Sequence, residues 1–173
     1  LGYTSSSALT QRYAAITKLE IDAVEGKYFA STDLEFLNSK SLSGLKTLDL
    51  QDANFTNNTL PKNFYTQSYL TELILPKNLI RIEGSAFGSN VKIMSLNIPR
   101  SVVTLGQNAL INISYAVFES EVPPKIDVKG TIGSRYNFVP EESVEAYDEA
   151  LTEVPANNWT NYPMAFYPYA TLA

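Results

Sequence analysis

Eight side chains fall into pairs, each pair two residues apart around an apolar residue: Lys18 and Glu20, Thr47 and Asp49, Glu72 and Ile74, Ser95 and Asn97. Residues at i and i+2 of a strand share a face. If the four segments are neighbouring strands, all eight project from one surface. Paired carboxylates are the groups that do acid–base or glycosidic work. Glu20 and Asp49 would stand about 4.8 Å apart along such a ladder, close enough to share a cation or a basic partner. The plainer reading is a solvated, charged sheet face with Lys18 and Lys46 nearby, and the sequence favours it. Ile74 projects from the same surface and Met94 lies at its rim, a small apolar contact patch. Tyrosine occurs 11 times, and surface tyrosines suit glycan stacking or protein contact. Most read as structural, including Tyr136 and Tyr147 in a terminal cap.

Other chemistry is excluded by composition. The chain has no histidine, hence no Ser-His-Asp or Cys-His arrangement, and lacks the usual general base near neutral pH. It has no cysteine, hence no disulfide, zinc-thiolate site or thiol nucleophile. The glycines of "EGS" and "GSN" are turn material, not a phosphate-cradling loop. The expectation is no catalytic residue, no metal, no cofactor and no enzyme. The net charge is −5 without a basic run, which excludes a nucleic-acid footprint. No apolar run approaches the roughly 20 residues that span a bilayer. Leu1 is not an initiating Met and no signal-peptide core follows it, so a processed form or a fragment is expected.

The elements that must carry these residues are repeated. Leu70, Leu73, Leu75, Leu79, Ile80, Ile82 and Phe87 match Ile93, Leu96, Ile98, Val102, Val103, Leu105 and Leu110 at one offset of 23 residues; Pro76 matches Pro99 and Ala86 matches Ala109. The strand core recurs earlier as Leu45, Leu48, Leu50 and as Ile16, Leu19, Ile21, with successive spacings of 29, 25 and 23. A period of this length indicates a leucine-rich repeat. One short strand cannot bury its inner face alone, so the units must stack into a parallel ladder over a continuous apolar interior. Pro76 and Pro99 close the strands. Ile80 and Ile82 start a short second strand, and Ala86-Phe87 forms a tight helical turn.

The ends need covers. "SSALTQRYAAI" reads as an N-terminal helix capped by Ser7. "STDLEFLNSK" carries a capping box, Thr32 with Glu35. Tyr136 to Val139 reads as a strand and Glu141 to Leu151 as a helix. "DANFTNNTLPKN" and "VPPKIDVKGTIG" read as loops. Trp159 is expected to seal the core and the last residues to be extended. The organisation is one leucine-rich-repeat domain over 1–173: an N-terminal cap and first unit (1–44), central repeats (45–115), and a degenerate last unit with a C-terminal cap (116–173). The fold class is α/β, a small right-handed solenoid with a parallel strand ladder and helical caps at both ends.

The units Leu70 to Phe87 and Ile93 to Leu110, together with "FVPEESVEAYDEA", resemble the BspA-type leucine-rich repeat proteins of bacterial surfaces. The family's glycine sits at Gly106 but is shifted to Gly84 in the preceding unit, and its Phe is replaced by Leu110. The resemblance implies an extracellular or cell-surface, non-enzymatic recognition or adhesion module. Its partner would be a host or bacterial surface protein, bound on the concave strand face by the eight paired residues. Glycan capture on that face and a spacer or docking role in a larger surface protein are the alternatives.

Overall fold

The structure, a computed structural model, describes residues 11–126, 132–152 and 165–169. Among them, strands numbered in chain order form two sets, and every pairing is parallel. The first set holds β1 (Lys18–Glu20), β2 (Thr47–Asp49), β4 (Glu72–Ile74), β6 (Ser95–Ile98), β8 (Tyr115–Phe118), β10 (Tyr136–Pro140) and β11 (Phe166–Tyr169). The second holds β3 (Thr59–Leu60), β5 (Arg81–Ile82), β7 (Thr104–Leu105) and β9 (Lys125–Ile126).

Each strand gives the interior one to three side chains. Leu48, Leu73, Leu96 and Ala116 point inward from the first set, and Leu60, Ile82, Leu105 and Ile126 from the second; all are buried in one cluster. Burying a Leu or Ile stabilises by about 1.5–3 kcal/mol, more than a strand of two or three residues gains from its few ladder bonds. Register follows from this, because a one-residue slip would turn every inward residue to solvent. The pairings Lys18↔Thr47 and Thr47↔Glu72 reproduce the repeat spacing. Ile16, Leu19 and Ile21 are only partly buried, since β1 has a neighbour on one side alone.

The expected continuous ladder is interrupted. β2 pairs with β4 and β6 with β8, but β4 and β6 lie side by side without pairing. The apolar interior passes beneath this seam intact, with Leu73 and Leu96 both buried, and β5 still pairs with β7 on the other side. Hydrophobic burial is non-directional and tolerates a widened gap; hydrogen bonds weaken steeply with distance and angle and do not.

Corners repeat as well as strands. Leu79 N–H donates to Pro76 O (3.1 Å) and Val102 N–H to Pro99 O (3.0 Å), so both prolines open the same turn. The shifted glycines meet each other: a Cβ on Gly106 would overlap the backbone N of Gly84, and one on Gly84 would lie 2.7 Å from Gln107 O. Successive corners touch main chain to main chain there. Asn63, Ser85 and Asn108 form a column with φ of 55°, 56° and 57°, and Asn63 N–H donates to Ser85 O (3.1 Å). Ala86 and Phe87 are buried as expected, but Phe87 forms a parallel bridge with Tyr65 in place of a helical turn. The stretch read as the loop "DANFTNNTLPKN" contains β3, and "VPPKIDVKGTIG" contains β9.

Helix α1 (Ser31–Leu37) lies where expected but starts differently. Its N-cap is Ala30, whose N–H donates to Asp33 Oδ2 (2.8 Å), so Asp33 and not the Thr32–Glu35 pair closes the first turn. Asn38 ties its other end to the next unit. Its Nδ2 donates to Leu34 O (2.9 Å) and Phe64 O (3.0 Å), and its Oδ1 accepts from Thr66 N–H (2.8 Å). After β10 a single 3-10 turn (Glu141–Ser143) leads into α2 (Val144–Thr152). Tyr147 on α2 is fully buried against the rings of Phe118 and Phe166, and its hydroxyl donates to Ser120 O (3.0 Å). The helix over residues 11–14 covers part of the expected N-terminal helix. Ser7, Trp159 and residues 170–173 lie outside the described residues.

Two outcomes follow. A non-glycine residue in the left-handed region costs about 1–2 kcal/mol, and Asn tolerates it best. Ser85→Asn is therefore expected to raise stability by about 0.5 kcal/mol, read from the urea midpoint. Burial pushes the phenols of Tyr147, Tyr65 and Tyr169 above their ordinary value. Below about pH 10 all three are neutral in both folded and unfolded chains and their contribution is intact. Above it the unfolded chain ionises first, so stability falls as pH rises. Urea midpoints at about pH 9 and pH 11 are expected to show this fall, and Tyr147→Phe to flatten it.

Candidate binding face

The outward residues of the first strand set form two rows. One row runs Lys18, Thr47, Glu72 and, across the seam, Ser95, Tyr115, Tyr136; the other runs Glu20, Asp49, Ile74, then Asn97, Val117, Phe138, Tyr167. All eight residues singled out from the sequence therefore stand on one face. Glu20 and Asp49 are register partners.

The carboxylates do not converge on a shared centre. Glu20 Oε2 lies 3.3 Å from Lys18 Nζ on its own strand, with both side chains more than half exposed; such a pair contributes about 0–1 kcal/mol. Asp49 Oδ1 accepts from Gln51 N–H (3.1 Å), and Glu72 Oε2 accepts from Thr47 Oγ1 (2.9 Å). Lys46 Nζ donates to Tyr69 O (3.4 Å). Among the described residues no group of three acidic or metal-ligating side chains is placed to hold a metal ion.

The other half of the face is aromatic. Tyr115 and Tyr136 stack with centroids 5.4 Å apart and planes 17° from parallel. Phe138 and Tyr167 continue the array at 5.7 Å, and Tyr136 to Tyr167 spans 6.3 Å. The Arg135 guanidinium lies 5.5 Å from the Tyr136 centroid. Tyr115 and Tyr167 are exposed. Tyr136, read as structural in the terminal cap, is half-buried on β10 and belongs to this array as well, while Tyr147 lies in the interior. The array was within reach of the sequence: "YAVF" and "YNFVP" alternate in phase with the earlier strands, and extending the two rows would have exposed it.

Between the halves, the seam opens into a groove of about 880 Å³. Glu72, Ile74, Met94, Ser95 and Asn97 line it, with Lys77, Arg100 and Glu119 at its far end. Met94 sits at the rim, 62% exposed. A second, more apolar pocket of about 330 Å³ lies at the β1 end, against Leu19, Tyr28 and Phe36.

The family model described as BspA type leucine rich repeat region matches residues 31–117 in six copies, half of the chain. The chain belongs to the BspA-type leucine-rich repeat family. Neither a curated protein nor a solved structure matches it. Membership of this family suggests a surface module for protein interaction, and among the described residues no helix is long and apolar enough to cross a membrane.

The stacked rings give a measurable coupling. A double-mutant cycle on Tyr115→Ala and Tyr136→Ala, followed by urea unfolding, is expected to give an interaction of about 0.5–1.5 kcal/mol.

Proposed function

We propose that the chain is a non-enzymatic recognition module of a cell surface, a right-handed solenoid with helical caps, that binds a protein partner through its concave strand face. One observation carries this reading. The outward face of the first strand set presents Tyr115, Tyr136, Phe138 and Tyr167 as a contiguous array, next to the charged residues of β1, β2 and β4. Side chains on a packed ladder are held at little further entropic cost on binding. Aromatic groups with a charged rim are what protein interfaces use as anchors.

The ring geometry favours protein over glycan. A sugar stacks on an open aromatic face, and here Tyr115 and Tyr136 turn faces toward each other. Hydroxyls, ring edges and the outer face of Tyr115 remain, narrower than the open platform a sugar ring needs but accessible to side chains of a protein surface.

The test is capture by cross-linking to surface-protein extracts, followed by solution affinity with the purified partner. Combined Tyr115→Ala, Phe138→Ala and Tyr167→Ala is expected to weaken binding at least about tenfold. Thr104→Ala with Lys125→Ala, on the second strand set, is expected to leave it unchanged. Equal loss from both sets, with both variants folded by circular dichroism, overturns the assignment of the face.

A further inference from the structure

The seam between β4 and β6 leaves a groove bordered by Glu72 on one strand and by Ser95 and Asn97 on the other, with the Tyr115 ring next to Ser95 on β8, one strand beyond. We propose that this slot is a socket for an arginine side chain of the protein partner, formed by Glu72, Ser95, Asn97 and Tyr115. The proposal rests on the reading of this face as protein-binding and names the chemistry that one point of it recognises.

Four observations place it. First, Ser95 and Tyr115 are register partners on β6 and β8. Tyr136, on the far side of β8, stacks against one face of Tyr115, so the opposite face looks over Ser95, a side chain too short to cover it. Second, Glu72 borders the same groove from β4. Its Oε2 accepts from the neutral Thr47 hydroxyl, and no ion pair forms at it among the described residues. The carboxylate has lone pairs to spare for an incoming N–H. Third, β4 and β6 do not pair, and the groove between them has a volume of about 880 Å³, room for a planar group. Ser95 and Asn97 border it with further acceptors. Fourth, Arg135 lies over Tyr136 in the same array; the surface already hosts a guanidinium against one of its rings.

Charge decides which end of the groove takes the cation. Lys77 and Arg100 line the far end beside Glu119, and Lys77 pairs with Asp52 at 3.6 Å, so that end is balanced. Glu72 stands at the other end. Arginine fits better than lysine because its guanidinium is planar, weakly hydrated and able to lie against a ring while donating in its own plane, whereas an ammonium is a compact, strongly hydrated point.

The test uses the whole chain, isotopically labelled, and N-acetyl-arginine methylamide as probe, with the lysine analogue beside it. Amide shifts of Ser95, Asn97 and Tyr115 are expected to saturate together with arginine and to respond roughly fivefold more weakly to lysine. Glu72→Gln and Tyr115→Leu are each expected to weaken the arginine response roughly fivefold; leucine keeps apolar bulk and removes the ring face. Glu83→Gln, on the other strand side, is expected to leave it unchanged. Shifts absent at these three amides, equal for both probes, or indifferent to Glu72→Gln overturn the socket. If Tyr115→Leu fails to fold, the probe comparison and Glu72→Gln still decide. Partner binding that needs the aromatic array while the arginine probe gives no response overturns the socket alone. An arginine response without partner binding at this face upholds the socket and rejects the broader reading.

Discussion

The fold depends on one constraint: a strand of two to five residues has a single inner face, and its one or two apolar side chains must find cover from other units. Leu48, Leu73 and Leu96 on one side and Leu60, Ile82 and Leu105 on the other supply that cover to each other. No unit is stable by itself, and each neighbour added extends the same interior. The partly buried Ile16, Leu19 and Ile21 at β1 show the cost of lying at an end. The polar corners then have little freedom, which is why Gly84 and Gly106 touch and why Asn63, Ser85 and Asn108 share one unusual backbone conformation.

Burial of this kind tolerates a seam. The interior continues beneath β4 and β6 although their backbones do not pair. The outer face is consequently divided into a charged half, a groove and an aromatic half. The same alternation that sends leucine inward sends Glu72, Ser95, Tyr115 and Tyr136 outward in one row. The packing that holds the molecule together is thereby also what aligns the side chains available for recognition. Asn38 at the end of α1 and Tyr147 on α2 contribute indirectly, by tying their helices to the backbone at Phe64 and at Ser120.

Membership of the BspA-type family and the division of this face point the same way, toward contact with another macromolecule. The carboxylates that first suggested chemistry are engaged separately, Glu20 by Lys18, Asp49 by Gln51 N–H and Glu72 by Thr47. In the proposed reading they would be the charged side of a contact surface, and the rings of β8, β10 and β11 its apolar side.

Much of this was legible beforehand. The 23-residue offset that aligned Leu73 with Leu96 and Pro76 with Pro99 predicted adjacent, paired strands; β4 and β6 are adjacent but unpaired. The phase of each strand required Glu20, Asp49, Glu72 and Asn97 to share a face, because side-chain alternation is a local property of the backbone. What the sequence could not determine were relations between units. Whether β4 and β6 hydrogen-bond depends on a separation that no residue spacing encodes. Which ring Tyr136 stacks against depends on which strands lie beside it. Whether Thr32 or Asp33 closes α1 depends on how the chain arrives from the preceding turn. The local chemistry of each residue determined its face; only the assembled neighbours decided what that face would meet.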